Sequence, residues 1–219
     1  MRPAALLAVA LVTLSACGES GPPTTPPEGW VADGDRWYVP GTDTSAAFRD
    51  LSTIEAMGVA RDDSEYTRWF QERLTQIYRS NPEVADSVFE AQFLPTLREG
   101  VPSGEAYGPA AEARVAEVSR EFFQRFNGAR FDARTAPPLA IPADLQDVSG
   151  QVTVQVYVGA DKEPRAVTLV EGTGTPMDDV LLRRAADADY TDGWVRPTAG
   201  QSGGVNIPTW VYITTRLGE

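Results

Sequence analysis

Val152, Val154, Val156 and Val158 occupy alternate positions, with Thr153, Gln155 and Tyr157 between them. Successive side chains of a strand point to opposite faces, so this run predicts a strand with one buried face. A turn over 159–163 leads into Arg165-Ala166-Val167-Thr168-Leu169-Val170, and the two runs read as a hairpin. Thr175 is placed to cap a helix with Pro176 at its first position. Asp178 and Asp179 in the first turn complement the helix dipole, and Met177, Val180, Leu181, Ala185 and Ala188 form the apolar face. After a Gly/Ser-rich loop, residues 210–217 predict a third strand, whose start Pro208 restricts to an edge position. The expected order is strand, strand, helix, strand.

Upstream the spacing is helical. Tyr66, Trp69, Phe70, Leu74, Ile77 and Tyr78 recur at three- and four-residue intervals, with Asp62 or Asp63 as the expected N-cap and Asn81-Pro82 as the end. A second helix is expected from Pro82, carrying Val84, Val88, Phe89, Phe93 and Leu97, with Pro95 kinking or ending it. A third carries Val115, Val118, Phe122 and Phe126 and closes at Asn127-Gly128. A weaker fourth is expected over 45–57. The stripes predict the core of a small helical bundle. Residues 129–147 hold Pro137-Pro138 and Pro142, and the change of periodicity across them places a domain boundary there. The expected fold class is α+β, with a helical domain at 45–131 followed by a small sheet-and-helix domain at 147–219.

The C-terminal module resembles the C-terminal domain of the TonB family. The resemblance rests on Gly150-x-Val152-x-Val154-x-Val156, on Val167-x-Leu169-Val170-Glu171-Gly172-Thr173-Gly174, and on Met177-Asp178 followed by Leu181-Leu182 and Ala185-Ala186. The Trp194-x-Arg196-Pro197 exit and the closing Trp210-Val211-Tyr212-Ile213 complete it. In that family the last strand pairs with a short peptide from an outer-membrane receptor, by strand addition to a sheet edge. The resemblance implies a partner-binding strand here, with Tyr212, Thr214 and Arg216 as its alternate residues. The other expectation is that the helical domain covers this edge, since sheets protect their edges. TonB itself keeps a transmembrane helix and a long Pro-rich spacer. Here a cleaved lipid signal, a short tether and a helical domain are expected in place of both, so energy transduction is not expected.

At the start of the chain, Arg2 precedes an apolar stretch over 4–14 that ends in small residues, the layout of a secretory signal. The stretch is shorter than the ~20 apolar residues a transmembrane helix needs. Leu14-Ser15-Ala16-Cys17 is similar, residue by residue, to the lipobox of bacterial lipoproteins. That resemblance implies signal recognition through Leu14, Ser15 and Ala16, a lipid on Cys17, and cleavage between Ala16 and Cys17. With residues 1–16 removed, 17–44 become a lipidated tether, whose 18–27 stretch is rich in Gly, Ser, Thr and Pro. Trp30, Trp37 and Tyr38 are expected to dock on the folded part. Gly18 after the cysteine resembles an outer-membrane address, with the body in the periplasm.

Thirty-one acidic residues against nineteen basic give a net charge of −12, which disfavours nucleic acid and anionic surfaces as partners. There is no histidine and a single cysteine, so Ser-His and Cys-His nucleophile systems and most transition-metal sites are absent. No catalytic residue, metal or cofactor is assigned. Asp187-x-Asp189-x-x-Asp192-Gly193 has the wrong spacing for a calcium loop and reads as a solvated helix end. Asp33-Gly34-Asp35 reads as a turn. The expected function is a noncatalytic, membrane-anchored envelope adaptor that binds another envelope protein or a receptor peptide. The alternatives are an envelope-polymer enzyme working through paired carboxylates and a purely structural lipoprotein.

Overall fold

A computed structural model describes residues 23–48, 64–101, 107–196 and 204–218. They form a mixed α+β structure with antiparallel sheets. The central hairpin is β4 (Gly150–Val158) and β5 (Pro164–Glu171), closed by a turn in which Lys162 takes a positive φ of 74°. β8 (Thr209–Leu217) pairs with β4 on its other side. The sheet grows beyond β5 through β2 (Arg36–Tyr38) and β1 (Val31–Asp33), which turn at Asp33-Gly34-Asp35. The strand order is therefore β1-β2-β5-β4-β8, and part of the expected tether belongs to the sheet.

The alternation of the valines decides the layering. Val152, Val154, Val156 and Val158 are all buried and meet Met177, Val180, Leu181, Leu182 and Ala185 of a helix at Met177–Ala186. Trp37 of β2, 3% exposed, fills the same core. On the opposite face Tyr157 packs against the helical half of the molecule.

That half begins with α1 (Thr44–Ala47), capped by the Asp43 carboxylate, which accepts from the Ser45 and Ala46 N–H groups. The rest of the helix expected over 45–57 lies largely outside the described residues. α2 (Glu65–Ser80) carries the predicted stripe. Its N-cap is Ser64 rather than Asp62 or Asp63: the Ser64 hydroxyl accepts the Thr67 N–H at 3.1 Å. The expected helix from Pro82 starts later, at α3 (Asp86–Val88). Residues 82 and 83 form a turn in which the Val84 N–H donates to the Asn81 carbonyl at 3.2 Å, and the segment is held out of the helix because the Glu83 carbonyl accepts the Trp210 N–H at 3.0 Å and Val84 bridges Thr209. Next comes a π-helical turn at Phe89–Phe93, in which the Leu94 N–H reaches the Phe89 carbonyl, and then α4 (Leu94–Gly100) with Pro95 in its first turn. Pro95 has no N–H to donate and crowds the preceding turn, so wide winding just before it lets the chain continue without breaking. α5 (Pro109–Arg125) completes the helices of this half, and the Met177–Ala186 helix is α6.

A three-stranded sheet joins the halves. β3 (Phe126–Asn127), β6 (Gly193–Val195) and β7 (Val205–Ile207) lie in the order β3-β6-β7. Val195 and Ile207 are buried in the helical core although they lie far along the chain. Residues 129–132 are pinned to the end of α6: the Thr191 N–H donates to the Arg130 carbonyl at 2.9 Å and the Asp132 N–H to the Asp189 carbonyl at 3.1 Å. Among the described residues no helix is long and apolar enough to cross a membrane.

Candidate functional site

β8 and β4 pair over nine consecutive residues without a register break, from Gly150 opposite Leu217 to Val158 opposite Thr209. That regularity fixes the direction of each peptide group in β8. The Trp210 N–H points away from β4, to Glu83, and peptide groups alternate sides along a strand. The backbone groups of Tyr212, Thr214 and Arg216 therefore also point away from β4. The structure brings the three expected partner-binding residues onto one edge and one face of the last strand of the five-stranded sheet. All three are exposed, and they lie opposite Gln155, Thr153 and Gln151. The Thr153 and Thr214 hydroxyls are 3.1 Å apart.

Part of this edge is engaged within the chain. Glu83 and Val84 occupy its beginning, and the buried Trp210 indole N–H donates to the Ala47 carbonyl at 3.2 Å. Tyr212 and Arg216 each engage a further partner in the chain. Beside them is a feature that alternation alone does not reveal. Gln155, a polar position of β4 expected to face solvent, is 7% exposed, and its side-chain amide nitrogen has no hydrogen-bond partner. A buried donor left unmade costs about 1–3 kcal/mol.

Several acidic residues are spent on structure. Asp178 is buried, and its carboxylate accepts the Thr173 N–H and hydroxyl, each at 2.9 Å, and the Gly174 N–H at 2.8 Å. It staples the passage from β5 into α6, beyond the dipole role expected of it. Gly172 lets the two approach, because a Cβ there would sit 2.6 Å from the Asp178 Oδ2 and 2.7 Å from the Leu169 Cδ2 and force them to shift. Burial, with Asp178 as a like-charged neighbour, pushes the Asp179 carboxyl above its usual range. Glu112 accepts from the Trp69 indole at 2.8 Å and from Arg73 at 2.7 Å. The indole holds its carboxyl below the usual range against the opposing effect of burial, and Arg73 adds to the lowering. Asp187 pairs with Arg183 at 2.5 Å, while Asp192 lies 3.7 Å from Lys162, so these two acids are drawn to separate cations.

Among the clefts lined by described residues, three bear on this question. The largest of these three, about 520 Å³, runs along the polar face of α2 and includes one carboxylate, Glu72. A second, of about 70 Å³, lies between α6 and residues 137–140 and includes Asp187. The third, beneath Phe131, Leu181 and Ile213, includes none. Paired-carboxylate chemistry needs two such groups facing one bond, and none of the three supplies that. Among the described residues no group of three or more acidic side chains is arranged to hold a metal ion.

Leu14, Ser15, Ala16 and Cys17 lie outside the described residues. No family model, no curated protein and no solved structure matches this chain.

Proposed function

We propose that the protein is a noncatalytic lipoprotein of the bacterial cell envelope, anchored to the outer membrane through Cys17 with its body in the periplasm, which binds another envelope protein through a TonB-like module. In this reading the helical half is a small bundle, the β4-β5-α6-β8 unit is the module, and β8 is its recognition strand. The observation that carries it is the parity of β8, which gives Tyr212, Thr214 and Arg216 outward backbone groups and exposed side chains on one edge. Binding here exchanges the interactions that Tyr212 and Arg216 make within the chain for those of the incoming strand. A purely structural role is the second reading. The capping of β8 by Glu83 and Val84 and the engagement of Tyr212 and Arg216 favour it.

The test is capture of partners by full-length lipoprotein from detergent-solubilised envelopes, comparing wild type with Tyr212→Pro and Val211→Pro. Proline at 212 removes an N–H that points away from β4, whereas proline at 211 removes one from the β4–β8 ladder. The adaptor reading expects a specific envelope protein with wild type, its loss with Tyr212→Pro, and a circular-dichroism melt for Tyr212→Pro closer to wild type than that of Val211→Pro. Recovery of the same partners with folded Tyr212→Pro rejects strand addition and moves binding to the helical half, and recovery of no partner by wild type leaves the structural reading.

A further inference from the structure

The segment expected to tether the body does not leave it at an arbitrary point. The Thr25 carbonyl accepts the Arg183 Nη1–H at 3.1 Å, and the same guanidinium is held by Asp187. Pro23 lies in the small cleft between α6 and residues 137–140, against Pro138, Leu139 and Val180. Trp30 packs on the core beneath α6 before the chain enters β1. The route from residue 23 to the sheet therefore runs over the outer side of α6, on the face of the sheet opposite Tyr157 and the helical half.

From Pro23 back to Cys17 is six residues, and a fully extended chain covers at most ~3.6 Å per residue, or ~20 Å. A body of about 200 residues has a radius of gyration of ~16 Å and so measures ~40 Å across. The leash is shorter than the body. If Cys17 carries the lipid, the surface beside Pro23 stays close to the bilayer and the opposite surface cannot reach it.

We propose that the outer side of α6, together with residues 137–141, is the membrane-facing surface of this protein, and that the helical half projects away from the bilayer. Its partner is a phospholipid surface. The surface suits contact made by leash rather than by charge: Arg183 is neutralised by Asp187 and Arg134 by Asp132, while Pro138, Ala140 and Ile141 are exposed and uncharged. This inference rests on the lipid-anchor reading above.

The test uses the full lipoprotein in phosphatidylcholine vesicles doped with a lipid bearing a nitroxide on its headgroup. Since the anchor consumes the native cysteine, Ala140→Cys and Glu72→Cys each offer one free thiol for a fluorophore, beside Pro23 and on the exposed side of α2 respectively. Flotation with the vesicles and the acyl mass on Cys17 test the anchor separately. In floating protein, the label at 140 is expected to be quenched several-fold more than the label at 72. Arg183→Ala, which frees Thr25, is expected to narrow that difference. Equal or reversed quenching in protein that floats overturns the orientation and leaves the anchor standing. A chain that neither floats nor carries acyl mass overturns the anchor and this inference with it.

Discussion

The helical core and the sheet core are built from different materials. Around α2, α4 and α5 the interior is aromatic: Phe93 lies 4.8 Å from Phe89, 5.1 Å from Phe122 and 5.2 Å from Phe123, ring centre to ring centre, and Tyr78 stands edge-on to Phe89 at 5.2 Å. Beneath α6 the interior is aliphatic, a row of valines against Met177, Leu181 and Leu182, with Trp37 at one side. Yet both depend on remote chain. The helical core takes in Val195 and Ile207, and the sheet core takes in Trp37. Two runs of opposite periodicity need not be two independently closed cores.

The comparison breaks most sharply at its centres. Phe93→Ala removes a fully buried ring in contact with three others and is expected to cost about 3–5 kcal/mol, read by chemical denaturation. If the halves are closed by each other, near-UV and far-UV signals will lose stability together; a surviving sheet transition would show them to be separable. Trp37→Ala asks the same of the sheet core from the other side. It is expected to cost about 3 kcal/mol, below the ring in the helical core because the β1–β2 hairpin can peel away, and to expose β5 to hydrogen exchange before β4.

The seam is probed by Gly193→Ala. A Cβ there would come within 2.5 Å of the Thr209 Cγ2 and 3.0 Å of the Ile207 carbonyl, so a cost of about 1–3 kcal/mol is expected. It should appear in both halves, in a thermal melt followed by tryptophan fluorescence and by circular dichroism. The smallest effect concerns acid. Glu112 has a lowered folded-state pKa, so its contribution is present above the unfolded-state carboxylate value and is lost as pH falls through the folded one. Glu112→Gln is expected to make α2 and α5 slightly less stable at neutral pH and to flatten the loss of stability below about pH 4. Because the pair is partly exposed, the change stays under ~1 kcal/mol. An unchanged acid slope would reject it.

Much of this was readable locally. α2, the β4–β5 hairpin, α6 and β8 follow from spacing, because each buries one regular face. What was not readable is held by contacts between distant residues. The late start of the second helix depends on Glu83 and Val84 meeting β8. The short strands β3, β6 and β7 carry too few residues for a period to show. The outward parity of Tyr212, Thr214 and Arg216 is implicit in a strand, but which parity faces outward is set by β4. The burial of Gln155 had no local signal, since a polar residue at an alternate position is what an exposed face also shows.

The position of the first hairpin carries a temporal consequence. Trp37 meets Val167, more than half the chain later, so strands that emerge early from the ribosome have no pairing partner until β5 has followed. The N-terminal hairpin is an early arrival that must wait, and closing so distant a contact is slow compared with winding the helices between. For this hairpin, locking runs opposite to the order of synthesis: strands made early are closed late, and their side of the sheet stays open until β5 has emerged.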